Sequence, residues 1–232
     1  VRVACEILVS SAPLRQLLAV VLKMGNTLNG GSFRGAADGF RTDALTRLAE
    51  LRTSTSPPST LLHVAISHCA SLPPPVSPEG EDEEWEGAAQ PDGWARMEQL
   101  CHTLTGVRPV AKLSMTEIAD EVTKFCAALQ TLKDEVATAS RSTRSAAASA
   151  WDGDRFVEVM GPFISQAEPL VTQLKDSLKK MQAELDSTHA FFAEDSKTSM
   201  ETFFSRWATF ITQLEAAVAS EIEQKPKRAR RF

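Results

Sequence analysis

The sequence predicts an all-α fold, in which a helical cluster carries a long antiparallel coiled-coil arm. Tyrosine is absent, and few segments alternate polar and apolar residues over the length of a strand, so strand signals are poor. Apolar residues instead recur at helical spacing through most of the chain. One stretch keeps a heptad rhythm over many turns, which is typical of a helix that pairs with another helix. We therefore expect an elongated helical protein.

Composition restricts the class of protein. The chain has 232 residues, of which 43% are hydrophobic, and this suffices for one large or two small cores. A net charge of -5 gives no general attraction to nucleic acid. No apolar run approaches the roughly 20 residues that cross a bilayer, and no signal peptide opens the chain. We therefore expect no stable membrane insertion and a cytoplasmic location.

The N-terminal part of the chain predicts a cluster of short helices. Residues 1–10 form the first helix, and Pro13 permits a restart in the first turn of a second helix that runs toward Asn29. After a glycine-rich stretch, Asp43 is the expected N-cap of a third helix and Ser59 that of a fourth. We expect these helices to pack around one core.

Residues 72–93 differ in composition from the rest of the chain. They combine several prolines with a run of acidic residues between Glu79 and Glu86. Such a segment cannot bury enough apolar area to offset the entropy lost on ordering it. We expect a disordered acidic and proline-rich insertion, after which a short helix from Trp94 to Leu104 returns to the cluster.

Residues 114–190 predict the coiled-coil arm. Apolar residues step by three and four along its first helix, at Met115, Ile118, Val122, Phe125, Leu129, Leu132, Val136 and Ala139. A stripe of this period packs against another such stripe, which follows after a reversal at Asp152-Gly153-Asp154. The second stripe comprises Phe156, Met160, Phe163, Ala167, Leu170 and Leu174, then, after one extra residue, Leu178, Met181 and Leu185. The extra residue predicts a stutter, and Pro162 and Pro169 predict a bend.

The last helix is predicted to begin at a capping box formed by Thr198 and Glu201. Its apolar face is the most aromatic in the chain and comprises Phe203, Trp207, Phe210, Ile211, Leu214 and Val218. We expect this face to pack on the helical cluster or on the base of the arm. Residues 223–232 form a basic tail that is too charged and too short to fold alone.

The segment from Gly25 to Phe40 interrupts the helical pattern with a glycine-rich, polar and nearly uncharged stretch. Glycine adopts positive φ angles and lets another backbone or ring come close, at an entropic cost that a plain connector has no reason to carry. The stretch lacks the Gly-Lys-Ser/Thr ending of a phosphate-binding loop, and it follows a helix where such loops follow a strand. It therefore predicts a docking surface.

Recognisable catalytic and metal-binding patterns are absent from the sequence. His63, His68, His102 and His189 do not pair at a metal-binding spacing on one helix face. No serine, histidine and aspartate occur together in a catalytic context, and the four cysteines are scattered, which favours reduced thiols. We therefore expect a protein that is not an enzyme and that uses no cofactor and no metal.

The glycine-rich segment and the sequence after it resemble the signature of the formin homology 2 domain, the actin-assembly module of formins. The likeness rests on Gly25-Asn26-Thr27-Leu28-Asn29, Gly31-Ser32, Gly35, Gly39-Phe40, Leu45, Arg47-Leu48 and Thr60-Leu61-Leu62-His63. Similar segments at residues 154–160 and 200–204 extend the likeness over residues 1–222. The family's module continues further toward its N-terminus, so we expect this chain to correspond to its post, part of its knob and its coiled-coil arm.

The resemblance implies partners and site residues. In the family, two copies join head to tail, because the lasso of one wraps the post of the other, and the ring holds the barbed end of an actin filament. By position, the lasso-receiving dimer interface comprises Gly25, Asn26, Asn29, Gly31, Gly39 and Phe40. Arg47 stands where the family has a basic residue, and basic side chains suit the acidic surface of actin, so Arg47 and then Arg52 are the implied actin contacts.

The implied function is nucleation and processive barbed-end elongation of actin filaments by the complete dimeric module in the cytoskeleton. Profilin-bound actin would be reached through regions outside this chain. A post without a lasso has nothing to exchange, so we expect this chain alone to be a monomer or a weak associate.

A second hypothesis remains open from the residues alone. The chain could be a coiled-coil scaffold or adaptor that binds a protein other than actin through the aromatic last helix or the basic tail. The cations of that tail lack adjacent apolar anchors and would bind a membrane surface only weakly at physiological salt. The two hypotheses differ in whether the complete module acts at filament ends.

Overall fold

The computed structural model describes residues 1–32, 35–54, 59–75, 92–145, 155–195 and 197–229. Within these ranges the chain is helical and contains no strand, which confirms the all-α prediction. Two 3-10 helices cover Thr42–Ala49 and Thr105–Lys112. The α-helices are α1 (Arg2–Ser10), α2 (Ala12–Leu28), α3 (Leu61–Ser71), α4 (Gly93–Leu104), α5 (Met115–Ser145), α6 (Phe156–Phe191) and α7 (Met200–Ala229).

The chain divides into two compact units. Unit 1 comprises Val1–Lys112 and Leu185–Phe232, and unit 2 comprises Leu113–Glu184. Unit 1 therefore holds α1 to α4, both 3-10 helices, the end of α6 and all of α7. Unit 2 holds α5 and most of α6.

Helix α7 forms the centre of unit 1. It packs against α3, α4 and both 3-10 helices. Its buried side chains include Phe203, Phe204, Trp207, Phe210, Ile211, Leu214 and Val218, so the aromatic face predicted from the sequence does pack on the helical cluster. Burial of these apolar and aromatic side chains stabilises unit 1 through the hydrophobic effect.

Two helices of unit 1 begin at side-chain caps close to the expected positions. Ser11 accepts a hydrogen bond from a backbone N–H in the first turn of α2, where Pro13 lies as expected. In α7 the cap is Ser199, whose hydroxyl oxygen accepts from the backbone N–H of the third helical residue at 3.2 Å. The capping box expected at Thr198 is therefore wrong by one residue, because the Thr198 hydroxyl donates to the carboxylate of Glu194 at 3.4 Å.

Two further expected caps are also corrected. Arg41 occupies the N-cap of the first 3-10 helix without a side-chain bond, and Asp43 lies inside the first turn. Helix α3 is capped by Thr60 and not by Ser59. The carbonyl oxygen of Ser59 accepts from the backbone N–H of Thr53 at 2.8 Å, which fixes Ser59 in the turn before the helix.

An ion pair joins helices α5 and α6 in unit 2. Lys133 Nζ donates to Glu168 Oε1 at 2.5 Å. Lys133 lies as far from the end of α5 at Ser145 as Glu168 lies from the start of α6 at Phe156. A contact at equal distances from these two ends is what the predicted antiparallel arm requires.

The apolar stripe of α6 keeps most of the predicted residues but differs from the prediction at two positions. Phe163 and Leu170, which were expected to face α5, are 54% and 64% exposed. The less exposed apolar side chains are Met160, Ile164, Ala167, Val171, Leu178 and Met181. With Leu174 between them, these residues step by four and three without an extra residue, so the predicted stutter is wrong. The predicted and observed stripes differ by one residue at two places, Phe163 against Ile164 and Leu170 against Val171. Both stripes have nearly the same helical period, so the period alone did not decide which residues face inward.

Some expectations fall outside the described residues. These are most of the acidic insertion, at residues 76–91, the reversal at Asp152-Gly153-Asp154, and residues 230–232 of the basic tail. At the edges of these segments, residues 72–75 are not helical, whereas α4 begins at Gly93. Residues 223–229, which the sequence assigned to a tail that does not fold alone, belong to α7. Helix α6 is continuous through Pro162 and Pro169.

No single helix in the described ranges is long and apolar enough to span a bilayer. Helices α1 and α2 together reach that length and composition, but a bend of 58° separates them. Their apolar residues Leu8, Leu14 and Leu17 are fully buried in unit 1.

Candidate partner-binding site

A side-chain clamp closes the glycine-rich segment. Nδ2 of Asn26 donates to the carbonyl oxygen of Ala37 at 2.9 Å, and Oδ1 of Asn26 accepts from the backbone N–H of Ala37 at 3.0 Å. Asn26 lies in the last turn of α2, so the two bonds return the far side of the segment to that helix. An amide side chain offers the donor and the acceptor together, which neither aspartate nor leucine does. Asn26 therefore shapes the glycine-rich segment.

Four of the five glycines of the segment fall into two groups. Gly31 has a φ of 82°, which side chains disfavour, and a Cβ on Gly35 would lie 2.5 Å from the carbonyl oxygen of Asn29. By contrast, a Cβ on Gly25 or Gly39 would meet nothing within 4 Å. The fold of the chain itself thus requires Gly31 and Gly35, whereas Gly25 and Gly39 leave open space on the surface.

Two cavities lie beside this segment in unit 1. The first has a volume of about 590 Å³ and lies between α2, residues 38–42 and the corner that joins α6 to α7. The second has a volume of about 320 Å³ and lies between the end of α2 and the first 3-10 helix. Leu22, Gly39 and Phe40 line both cavities and form the wall between them.

The second cavity brings together most of the residues that the sequence assigned to the partner surface. It is lined by Gly25, Asn26, Asn29, Gly39 and Phe40. Arg47 also lines it, with a side chain that is 68% exposed and 3.5 Å from the carboxylate of Asp43. Gly31 and Arg52 are not among its lining residues. Arg52 is exposed and forms an isolated antiparallel bridge with Thr60.

Large exposed apolar side chains surround the two cavities. Leu28 and Leu51 line the second cavity, and Phe191 lines the first, although half or more of each side chain is open to solvent. Scattered exposed leucines need no explanation, but apolar side chains grouped around a concave surface mark an interaction site. The two cavities therefore form one candidate surface for an apolar partner segment.

The first cavity has a wall that sequence reasoning missed. At the end of α6, the rings of Phe191 and Phe192 meet edge to face with centroids 5.0 Å apart, and the ring of Phe192 lies 5.1 Å from that of Trp207. The exposed side chains of Arg15 and Arg41 lie at the mouth of this cavity. The only sequence signal for this wall is the Phe191-Phe192 pair itself.

The corner after α6 turns through a residue in the left-handed conformation. Ala193 has a φ of 49°. Its N–H donates to the carbonyl oxygen of Ala190 at 3.1 Å, and the N–H of Glu194 donates to that of His189 at 2.9 Å. These two bonds form a Schellman motif, in which glycine is the usual left-handed residue. Because alanine stands there, the turn was not recognisable from the sequence.

Glu194 follows this turn and buries its carboxylate. The carboxylate accepts hydrogen bonds from the hydroxyl of Thr42, from the hydroxyl of Thr198 and from Nη1 of Arg206, the last at 3.0 Å. Burial by itself raises the pKa of Glu194, but the hydrogen bonds from Thr42 and the charges of Arg206 and Arg41 outweigh it and hold the pKa below its ordinary value. Glu194 is therefore a buried anion at the edge of the first cavity.

The other titratable groups near the core point to packing and not to chemistry. Burial lowers the pKa of His189, against the opposing charges of Glu194 and Asp186, and its ring packs edge to face on Phe203. Burial raises the pKa of Cys69 and Cys101 to about 11, which keeps both thiols protonated and unreactive. Within the described ranges, no three histidine, cysteine or acidic residues lie together as potential metal ligands.

Proteins of animals and plants are similar in sequence to this chain over most of its length. Disheveled-associated activator of morphogenesis 2 of Gallus gallus is 28% identical over 226 residues, which are 97% of this chain and 18% of the relative. Formin-like protein 20 of Arabidopsis thaliana is 27% identical over 222 residues, or 95% of this chain and 12% of the relative. Disheveled-associated activator of morphogenesis 1 of Mus musculus is 27% identical over 218 residues, or 94% and 18%.

The chain spans less than a fifth of the length of these relatives. The family model of the Formin Homology 2 Domain matches residues 1–215, which include the glycine-rich segment, both cavities and the α6–α7 corner. The chain therefore belongs to the formin homology 2 family, the actin-assembly module of formins.

Proposed function

We propose that this chain is the partner-receiving part of a formin homology 2 module. In the complete module it contributes to actin filament nucleation and to processive barbed-end elongation as a head-to-tail dimer. One observation carries this proposal: five of the six residues assigned to the lasso-receiving surface line one cavity, around which exposed apolar side chains gather.

The shape of the site suits an extended segment of a second copy. Gly25 and Gly39 leave room for the backbone of that segment to approach, because neither carries a side chain and each faces open space. Apolar side chains of the segment would enter the two cavities on either side of Phe40. Apolar burial at about 25 cal/mol per Å² then provides most of the binding free energy.

Filling the open space at Gly25 tests the dimer interface. In the natural full-length protein, Gly25→Leu places a side chain where the partner backbone would lie, and we expect the dimer to dissociate at least about tenfold more readily, a change of about 1.4 kcal/mol. Gly161→Leu is the matched control, because Gly161 is also a helical glycine whose Cβ would meet nothing within 4 Å. Sedimentation equilibrium measures both. Equal dimer affinity in the two variants would contradict the proposed interface.

The proposed actin contacts are Arg47 first and Arg52 second. Both side chains are exposed and basic, which suits an acidic protein surface. The ion pair of Arg47 with Asp43 is itself exposed, and such pairs contribute only about 0–1 kcal/mol to stability. Reversing these charges should therefore leave the fold intact.

The double variant Arg47→Glu with Arg52→Glu tests these contacts in the full-length protein. We expect slower actin assembly from barbed ends with unchanged helicity by circular dichroism. The control is Lys124→Glu with Arg155→Glu, which makes the same change in charge at two exposed side chains of unit 2. Assembly that stays unchanged in the first variant, or falls equally in both, would sink this assignment.

The scaffold alternative has one observation in its favour. Val159, Phe163 and Leu170 on α6 are apolar and more than half exposed. A face of this kind fits a protein partner that is not actin. A barbed-end assay of the full-length protein decides between the two: no nucleation, no altered elongation and no end binding would leave the scaffold as the better account.

The proposal also predicts where the full-length protein is located in the cell. We expect the full-length protein in the cytoplasm, at the actin cytoskeleton, with profilin-bound actin delivered through regions outside this chain. Co-sedimentation of the full-length protein with filaments, with and without profilin, tests that expectation.

A further inference from the structure

The buried carboxylate of Glu194 joins two parts of unit 1 that are distant in sequence. Its side chain is 0% exposed, and that of its ionic partner Arg206 is 26% exposed. The hydroxyl of Thr42 donates to one carboxylate oxygen, while Thr198 and Arg206 donate to the other. One side chain thus holds the α6–α7 corner, helix α7 and the start of the first 3-10 helix together.

These connections lie at the first cavity. Thr42 comes two residues after Phe40, which is part of the wall between the cavities, and Ala193 comes directly before Glu194. Thr42 and Ala193 themselves line the first cavity from its two sides. The carboxylate therefore sets how far residues 39–42 stand from the corner.

Stability alone does not account for a carboxylate at this place. Removing two charges from water costs free energy that their attraction only about balances, so a buried ion pair is weak evidence for a stabilising role. The turn that directs Glu194 inward also holds Ala193 at an unfavourable positive φ. The desolvation of the ion pair and the strain at Ala193 occur at one corner because together they set the geometry of the cavity.

We propose that Glu194 is a positioning residue for the partner site. Its carboxylate holds Thr42, and through it Gly39 and Phe40, at the distance from the α6–α7 corner at which the first cavity admits an apolar side chain. The identity of the occupant rests on the proposed function, but the positioning of residues 39–46 does not.

Amide hydrogen exchange of the full-length protein tests the positioning directly. The variants are Glu194→Gln, which keeps the shape but loses the charge, and Thr42→Val and Thr42→Ser, which remove and retain the hydroxyl. The control is Glu215→Gln, which disrupts the partly buried ion pair between Arg108 and Glu215 elsewhere in unit 1. Exchange is followed in peptides covering residues 39–46 and, separately, in peptides of α7.

We expect exchange in residues 39–46 to become at least about tenfold faster in Glu194→Gln and Thr42→Val, because hydrogen bonds to a charged group are lost. Protection of α7 should be retained. Thr42→Ser and Glu215→Gln should leave residues 39–46 as protected as in the natural protein. Unchanged protection of this segment in Glu194→Gln overturns the proposal, as does an equal loss in α7, which would mark a purely structural role.

Dimer dissociation in the same variants separates this inference from the proposed function. Faster exchange in residues 39–46 together with a weaker dimer supports both. Faster exchange with an unchanged dimer supports the positioning role of Glu194 and contradicts a partner segment in the first cavity.

Discussion

Unit 1 and unit 2 are both helical, but they bury their side chains to different extents. In unit 1 the rings of Phe203, Phe204, Trp207 and Phe210 are fully buried. In the described part of unit 2, Val122 is the only buried residue, and the facing stripes of α5 and α6 stay half open to solvent. A helical segment of this chain therefore does not always form a packed core. Of the two units as described, only unit 1 has one.

The candidate site follows this difference. Every residue that lines the two cavities belongs to unit 1. A site that must keep two cavities open needs walls that do not collapse into them, and close-packed cores supply such rigidity. Trp207 belongs both to the aromatic core and to the lining of the first cavity, so the core of α7 directly supports the site.

The largest expected effect compares the same substitution in the two units. Phe210→Ala in unit 1 removes a fully buried ring that meets the ring of Trp207 edge to face, and we expect it to lower the free energy of unfolding by about 3–5 kcal/mol. Phe163→Ala in unit 2 removes an exposed ring and should change it by no more than about 0.5 kcal/mol. Urea titrations followed by circular dichroism measure both. Similar losses would break the contrast between the units.

A glycine substitution should have opposite signs in the two units. A Cβ on Gly93, at the start of α4, would lie 1.7 Å from the carbonyl oxygen of Ala70, so Gly93→Ala forces α3 and α4 apart and should cost about 1–3 kcal/mol or more. Gly161→Ala meets open space inside α6 and should stabilise that helix by up to about 1 kcal/mol. Thermal unfolding gives the sign of each change. A stable Gly93→Ala variant would show that the α3–α4 contact is looser than the structure has it.

The register of the arm can be tested within unit 2. Ile164 is half-buried and belongs to the stripe seen in the structure, whereas its neighbour Phe163 belongs to the stripe predicted from the sequence. Ile164→Ala should cost about 1–2 kcal/mol, less than for a fully buried isoleucine, and more than Phe163→Ala. A larger loss of stability in Phe163→Ala than in Ile164→Ala would instead support the stripe with the stutter that the sequence predicted.

Periodicity predicted the helices well because apolar spacing records which residues a helix buries. It located α1 and the aromatic face of α7, whereas the restart at Pro13 was predicted from the preference of proline for the first turn of a helix. It did not settle the stripe of α6, where apolar residues occupy both of two adjacent positions at Phe163-Ile164 and at Leu170-Val171. Which member of each pair turns inward depends on the partner helix, and the sequence of one helix does not contain that information.

Only one side of the candidate site, the glycine-rich segment, was predicted from the sequence, for a similar reason. The glycine-rich segment was visible because glycine is costly and its positions are local. The other wall of the first cavity depends on Glu194 and Thr42, which are 152 residues apart and meet only in the folded protein. Alanine at position 193 also concealed the turn that brings them together.

That turn gives the smallest expected effect and the one most specific to unit 1. Ala193→Gly replaces a residue with a φ of 49° by the residue that a Schellman motif prefers. Relief of the left-handed strain is worth about 1–2 kcal/mol, and the greater freedom of glycine in the unfolded chain offsets part of it. We expect a net gain of about 0.5–1 kcal/mol in the free energy of unfolding.

The control for this gain is Ala190→Gly, three residues earlier inside α6. There a glycine has no strain to relieve and should cost up to about 1 kcal/mol. Urea titration of the two variants compares the same alanine-to-glycine change at two neighbouring positions. The chemical change is identical, so a difference in stability reports the backbone conformation at each position. A loss of stability in both variants would mean that residue 193 is not held in the left-handed conformation, and that Glu194 reaches Thr42 by another path.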